Sequence, residues 1–462
     1  MSLLIVIGTL ALLMLAAYRG MSVILFAPAC ALLAVLFTEP VQVLPAFSGI
    51  FMEKMSGFLK LYFPVFMLGA IFGKVVELSG FSQSIVASAG KIAGQKRAML
   101  AIVLVCALLT YGGVSLFVVV FAVYPFAAEM FRLNDIPKRL IPGTLALGSF
   151  TFTMDALPGT PQIQNIIPAT FFKTDAWAAP WLGTIGSCFI LAAGLAYLSW
   201  RRRLAAASGE GYGTGHSNEP EPFTQQLLPN PWLAIAPLLL VAGLNKVFTS
   251  AIPKCLGESV SIGLPGHEIA VDVQKMAGVW AVEGALIAGI IFVLLFGRQV
   301  GSKFAEGSKA AISGALLASM NTASEYGFGG VIAILPGFVT ISTALKAIPN
   351  PLINEAISVT ALAGITGSAS GGMSIALAAM SDGLIRAAHE AHLPLEVLHR
   401  VAAMASGGMD TLPHNGAVIT LLAVTGLSHR TSYRDIFAVT LIKTAAVFLV
   451  IGVYYLSGGR VV

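Results

Sequence analysis

Apolar runs recur along this chain from Leu3 to Leu456, each closed by a short cluster of charge, glycine or proline. Runs of this kind match the roughly 20 residues a helix needs to cross a hydrocarbon core. Full spans are predicted at 2–18, 21–38, 59–79, 137–172, 177–200, 230–248, 276–297, 315–345, 394–427 and 435–456. Those at 137–172 and 394–427 are longer than a crossing requires, and each carries an aspartate and a proline near its middle. Tilt explains extra length but not that pair, so both are predicted to break. Residues 97–131 and 354–389 are also apolar, with TYGGVS and GSASGG at their centres. Arms of about 15–18 residues are marginal for a crossing at 1.5 Å rise each. Each stretch therefore reads as a re-entrant hairpin, tolerable only against protein or a water-filled cavity. Segments 41–57 and 301–314 mix charge with small apolar residues and read as interfacial arms.

The polar interruptions occur twice, in the same order. GGVSL at 112–116 precedes MDALP at 154–158, and GGMSI at 371–375 precedes MDTLP at 409–413. Two motifs repeated at nearly one offset predict two related halves. The expected fold is an all-α polytopic membrane protein, an inverted-topology repeat with about ten spans, two re-entrant hairpins and two broken helices. The first repeat is expected over 1–200 and the second over 230–462. Between them, 201–229 is polar, rich in glycine and carries Glu-Pro-Glu-Pro, so it reads as a mobile cytoplasmic linker.

Composition agrees. Only 11% of the 462 residues are charged and 56% are hydrophobic, with a mean hydropathy of +0.85. So few charges cannot solvate a surface, so lipid is the main solvent. Net charge is +5. The basic residues sit in short connections, which excludes nucleic acid as the reading and gives a topology instead. With 97–131 re-entrant, Lys91, Lys96, Arg97, Arg132, Lys138, Arg139, Arg201–Arg203, Arg298, Lys303, Lys309, Arg430 and Arg434 all fall on one side. That side is the cytoplasm, and the N-terminus lies outside. Cys30, Cys106 and Cys188 lie in apolar runs without metal-ligand spacing and read as small buried hydrophobes. No cofactor is expected.

Candidate chemistry lies at the interruptions. Pro158 and Pro161 each remove a donor, and Gly159 gives freedom between them. Thr153, Asp155, Thr160, Gln162 and Asn165 surround the first break; Asp410, Thr411, Pro413, His414 and Asn415 surround the second. Gly112, Gly113 and Ser115 mark one hairpin tip, and Ser370, Gly371, Gly372 and Ser374 the other. The half-helix after each glycine pair would aim free N–H groups at the centre, which suits a small carboxylate, because no arginine or lysine lies in these motifs. An ionised, unpaired carboxylate is expensive in a membrane, so Asp155 and Asp410 are ion-coupling candidates, by proton or cation. His414 is either a proton-handling group or a hydrogen-bonded structural histidine. Glu325, in the cluster Asn321, Thr322, Ser324 and Glu325, is either a proton site or a capping residue. A secondary transporter fits duplicated halves with broken helices. An ion channel and a paired-aspartate protease are the rivals, and no phosphate-binding GxxxxGK[ST] run suggests an ATP-driven pump.

The segments FPVFMLGAIFGKVVELSG at 63–80, YGGVSLFVVVFAVYPFA at 111–127 and LPGTP at 157–161 resemble the gluconate permease family of the ion transporter superfamily. The resemblance covers most of the chain. It implies symport of small organic acids with protons across a bacterial inner membrane, and a homodimer with scaffold and moving transport domains. It implies cargo contacts at Gly112–Ser115, Asp155–Thr160, Ser370–Ser374 and Asp410–Asn415. The breaks FTMDALPGTP and MDTLPHNG look closer to the branch linked with 3-hydroxybutyrate-like short acids than to gluconate carriers. Family resemblance favours H+ as coupling ion, while oxygen-rich breaks also permit Na+.

Overall fold

In the computed structural model, the structure describes residues 2–19, 21–93, 97–114, 116–219, 228–263, 269–297, 300–338, 340, 348–366, 368–413 and 415–462. Its helices are α1 (Ser2–Tyr18), α2 (Val23–Thr38), α3 (Met52–Leu78), α4 (Phe81–Ala93), α5 (Ala98–Tyr111), α6 (Leu116–Leu133), α7 (Ile141–Ser149), α8 (Phe152–Asp155), α9 (Ile163–Phe172), α10 (Pro180–Ala207), α11 (Pro231–Leu256), α12 (Val273–Phe296), α13 (Val300–Ile334), α14 (Pro351–Thr366), α15 (Ala369–Glu390), α16 (Leu395–Ser406), α17 (Gly416–Thr425) and α18 (His429–Leu456). One antiparallel pair, β1 (Ser259–Ile262) and β2 (Ile269–Asp272), interrupts the helical order in the loop after α11.

Among the described residues, five helices are long and apolar enough to cross a membrane: Pro40–Leu78, Pro180–Ala207, Pro231–Leu256, Met276–Phe296 and His429–Leu456. This corrects the expectation of ten spans. The runs at 137–172 and 394–427 are divided into pieces, so neither supplies one long helix. The runs at 2–18 and 21–38 give helices of 17 and 16 residues. Segment 41–57 is no separate arm but helical and continuous with α3. Likewise 301–314 is the start of the 35-residue α13, whose hydropathy is diluted by Lys303, Glu306 and Lys309 and by the polar run at 321–325.

Both hairpins form. α5 turns into α6 through Gly112–Val114, where Gly113 has φ +94, a conformation that glycine adopts without a Cβ penalty. Ser115 lies outside the described residues. α14 returns as α15, which starts at Ala369, before its glycine pair rather than after it. Ser368 explains the shift: its hydroxyl accepts the Gly371 N–H at 3.1 Å and caps the helix. Gly372, inside the first turn, lies against the Ala363 backbone of α14, where a Cβ has no room. The first long run breaks at Phe150–Thr151 and again at 156–162; the second breaks at 407–415. His414 is outside the described residues.

One apolar core joins the hairpins, the breaks and α18; a second joins α1, α2 and α13. Cys30 and Cys106 are buried as expected, whereas Cys188 and Cys255 are exposed. The segment expected to be a mobile linker is anchored in its first part. Residues 201–207 continue α10, and 208–219 are tied across the ends of several elements. Glu210 pairs with Arg139 at 2.6 Å, and Glu219 with Arg132 and with Lys138. The Tyr124 hydroxyl donates to the Asn218 carbonyl at 2.7 Å, and Asn218 donates to Ala423 of α17 at 2.8 Å. Arg139 and Arg201 also meet at one buried carboxylate, Asp435, so three basic-cluster segments do lie at one end.

Candidate functional site

An unwound membrane segment leaves carbonyls that need partners. At the first break most find them in side chains from elsewhere. Tyr111 donates to Pro158 O at 3.0 Å, Asn245 to Gly159 O at 3.1 Å and Asn165 to Thr160 O at 3.0 Å. Arg400 donates to Asp155 O at 3.2 Å, and Lys443 to Phe150 O at 2.7 Å. The second break is treated alike: Tyr433 reaches Thr411 O at 3.2 Å, and Thr444 reaches Gly408 O at 2.9 Å. These carbonyls are held by protein, so the breaks are preformed.

The repeated aspartates converge. Lys443 of α18 is buried with its Nζ 2.9 Å from Asp410 Oδ1 and 3.8 Å from Asp155 Oδ2. The two carboxylates thus share one ammonium. Asp155 Oδ2 is buried and accepts no hydrogen bond. Gly407 of the second break lies directly against that oxygen and against Lys443. A second buried cation, Arg400 of α16, donates to Asn165 Oδ1 at 2.9 Å and to Ala178 O at 2.7 Å. The neighbouring His399 bridges Asn165 and Thr174.

Other expected site residues serve the backbone. Thr153 donates to Gly148 O and Thr160 to Thr153 O, each at 2.8 Å. Gly159 has φ +80 and lies under the Trp177 ring. Asn415 caps α17, accepting from Ala417 N at 2.7 Å and Val418 N at 3.1 Å. Thr411 and Thr440 share a short hydroxyl contact. Each hairpin tip touches a different partner. Gln162 donates to Thr110 O at 2.7 Å, so the first tip sits on the first break. Gly112 packs against Leu238, and Gly113 against Leu286 and Pro161. At the second tip Ser370 meets Thr322 at 3.4 Å, and Glu325 lies against Gly371; Ser374 keeps a buried hydroxyl without a partner. Glu325 lies inside α13 and so does not cap that helix.

The expectation that no basic residue serves these motifs is corrected by Lys443 and Arg400. The signal was present, because a lysine inside the apolar run LIKTAAVFLV is costly in lipid unless it has a partner. Among the described residues, no group of three or more His, Cys, Asp or Glu side chains is placed to hold a metal ion.

No family model matches the chain. Its fold is shared with the YdaH transporter of Alcanivorax borkumensis, whose crystal structure is described as revealing an unusual topology. The TM-score is 0.51 at 16% identity, covering 89% of this chain and 88% of that one. Sequence likeness goes much further with the "uncharacterized transporter YxjC" of Bacillus subtilis (strain 168), which is 60% identical over 471 residues, 99% of this chain and 100% of that protein. A helical membrane bundle with buried, paired charges at two helix breaks is thus joined to 60% identity over 99% of the chain, and the chain belongs to the family of bacterial membrane transport proteins that includes YxjC.

Proposed function

We propose that this protein is a secondary active symporter that imports a small organic anion with protons by elevator-type alternating access. The favoured cargo is a short hydroxy monocarboxylate such as 3-hydroxybutyrate, or a gluconate-like acid, as the resemblance to the gluconate permease family implies. The observation that carries this reading is the convergence of Asp155 and Asp410, one from each break, on Lys443. The first break adjoins its hairpin tip through Gln162, and Met409 of the second break packs on Gly364 near the end of α14, which supports a site between two repeats. In this reading 1–200 and 230–462 are the inverted repeats, joined through 201–229. Gly112, Gly113, Ser115, Thr153, Asp155, Gly159 and Thr160 form the cargo side of the first. Ser370, Gly371, Gly372, Ser374, Thr411, His414 and Asn415 form that of the second. Asp155, Asp410, His414 and Glu325 are the ion-coupling groups. The protein works as a homodimer in the inner membrane with its N-terminus outside.

The test is uptake of labelled 3-hydroxybutyrate and gluconate into proteoliposomes. Accumulation is expected under an inward proton gradient in sodium-free buffer. Accumulation that needs a sodium gradient at constant pH reassigns the ion. Currents without accumulation would make the protein a channel. Failure of a broad panel of organic acids to accumulate under either gradient sinks the symport reading.

A further inference from the structure

The second hairpin tip holds a carboxyl that the Lys443 cluster does not engage. Glu325 of α13 is 4% exposed, and its Oε2 has no hydrogen-bond partner. That oxygen is aimed at Gly371, in the first turn of the 22-residue α15, where a Cβ would strike it. The Ser368 hydroxyl lies at the same point. Ser374, one turn further into α15, keeps its unpartnered buried hydroxyl. A helix start carries converging N–H groups and a positive dipole end, which attract an anion. Here an internal carboxyl is aimed at that end.

Among the described residues, nothing cationic pairs with Glu325. Of the elements packed on α13, α2 carries no charged residue and one buried thiol, Cys30. α3 places Lys54 against Gly330, further along α13. Its Lys74 and Glu77 pair with each other, and Glu53, Lys60 and Tyr62 complete its titratable groups. α12 carries Lys275 in its first turn and Glu283, and α15 has Asp382 about three turns beyond Gly371, with Arg386, His389 and Glu390 about a turn or more further on. On α13 itself, Tyr326 packs on Phe58. The first tip is covered differently, by Leu238, Leu286 and Phe72.

We propose that Glu325 and the anionic cargo compete for the first turn of α15, and that this competition couples anion to proton. The proposal rests on the anion-symport reading. Ionised, Glu325 occupies the helix start and repels a carboxylate. Protonated, it presents no charge and the N–H groups accept cargo. One proton on Glu325 therefore accompanies one monoanion onto the tip. When the carboxyl ionises again it displaces the anion, and both leave.

The experiment measures binding of labelled 3-hydroxybutyrate and gluconate to the full chain in lipid nanodiscs at pH 6 and pH 8. Wild type is expected to bind up to about 100-fold more tightly at pH 6, tenfold per unit for one linked proton. Glu325→Gln is expected to lose most of that difference. Wild-type pH dependence retained in Glu325→Gln overturns the competition and leaves the symport reading standing. Binding of neither acid to either protein overturns the cargo reading and the competition with it. A ligand-free arm guards against misfolding. Gly371→Ala should lower Tm in wild type and have little effect in a Glu325→Ala background. Equal losses in both backgrounds overturn the contact on which the proposal stands.

Discussion

Asp155 and Asp410 stand in different halves of the sequence and reach the same ammonium, at 3.8 Å and 2.9 Å from Lys443 Nζ. Each lies at the edge of a helix break, so one lysine fastens two breaks at one buried point. A buried charge stripped of its partner is strongly destabilising, whereas a pair removed together is often tolerated.

Lys443→Met is expected to lower stability by about 3–5 kcal/mol, because two carboxylates lose their common cation. Adding Asp155→Asn and Asp410→Asn should restore most of that loss. Thermal unfolding in detergent checks both. A triple variant as unstable as the single one would mean that Lys443 acts by packing, not charge.

The aspartates should differ. Asp410→Asn removes the close contact and leaves Phe150 O and the distant Asp155 to hold Lys443. It is expected to lose gradient-driven uptake; loss of exchange of internal for external cargo as well would assign Asp410 to architecture and not to ion coupling. Asp155→Asn gives up an oxygen without a hydrogen bond, so its Tm should stay within a few degrees of wild type. Its concentrative uptake should still fall at least tenfold, since its carboxylate balances Lys443 beside the first break. Paired Tm and uptake measurements separate the two. Unchanged uptake by Asp155→Asn would remove it from the site.

The strap formed by residues 208–219 should respond to acid. Hydrogen bonds from the Arg139 guanidinium hold the Glu210 carboxyl below its ordinary value of 4.5. A depressed carboxylate contributes stability above its unfolded pKa and loses it as pH falls through the folded one. Residues 208–219 should therefore resist protease at neutral pH and become cleavable only below about pH 4.5. Glu210→Gln should be cleaved faster at pH 7. Equal cleavage of variant and wild type at neutral pH would show that Glu219 and Asn218 hold the strap alone.

Gly407 and Gly416 flank the second break and offer a contrast. A Cβ on Gly407 would meet Asp155 Oδ2 and Lys443, whereas on Gly416 it meets nothing within 4 Å. Gly407→Ala is expected to destabilise by roughly 1–3 kcal/mol, the range for overpacking, and to lose most uptake. Gly416→Ala should be near neutral. Equal Tm values would disprove the close approach.

The paired motifs made the hairpins and breaks legible, because glycine, proline and aspartate inside apolar runs carry a strong penalty. Span count was less legible. Hydropathy marks a run as buried in lipid but does not show that α7, α8 and α9 divide it. The groups that satisfy the breaks were hardest to see. Tyr111, Asn245, Arg400 and Lys443 come from other elements, and only tertiary packing brings them in. Lys443 was the exception, since an intramembrane lysine demands a counter-charge. The start of α15 was missed by a few residues because Ser368, not the glycine pair, sets it.

Short helices surround the breaks: α5, α16 and α17 have 14, 12 and 10 residues. At 1.5 Å per residue each spans about 15–21 Å, against a hydrocarbon core of about 30 Å. A seal made of such pieces insulates less than a full bilayer. Membrane voltage falls across the insulating part alone, so the local field there is steeper. An elementary charge crossing the whole drop exchanges about 2.3 kcal/mol per 100 mV, whatever the distance. A displacement of a few ångströms at this seal therefore does more electrical work than the same displacement within a full bilayer. An anion travelling with a proton is neutral and insensitive to that voltage. A bare carboxylate such as Glu325 is driven by it.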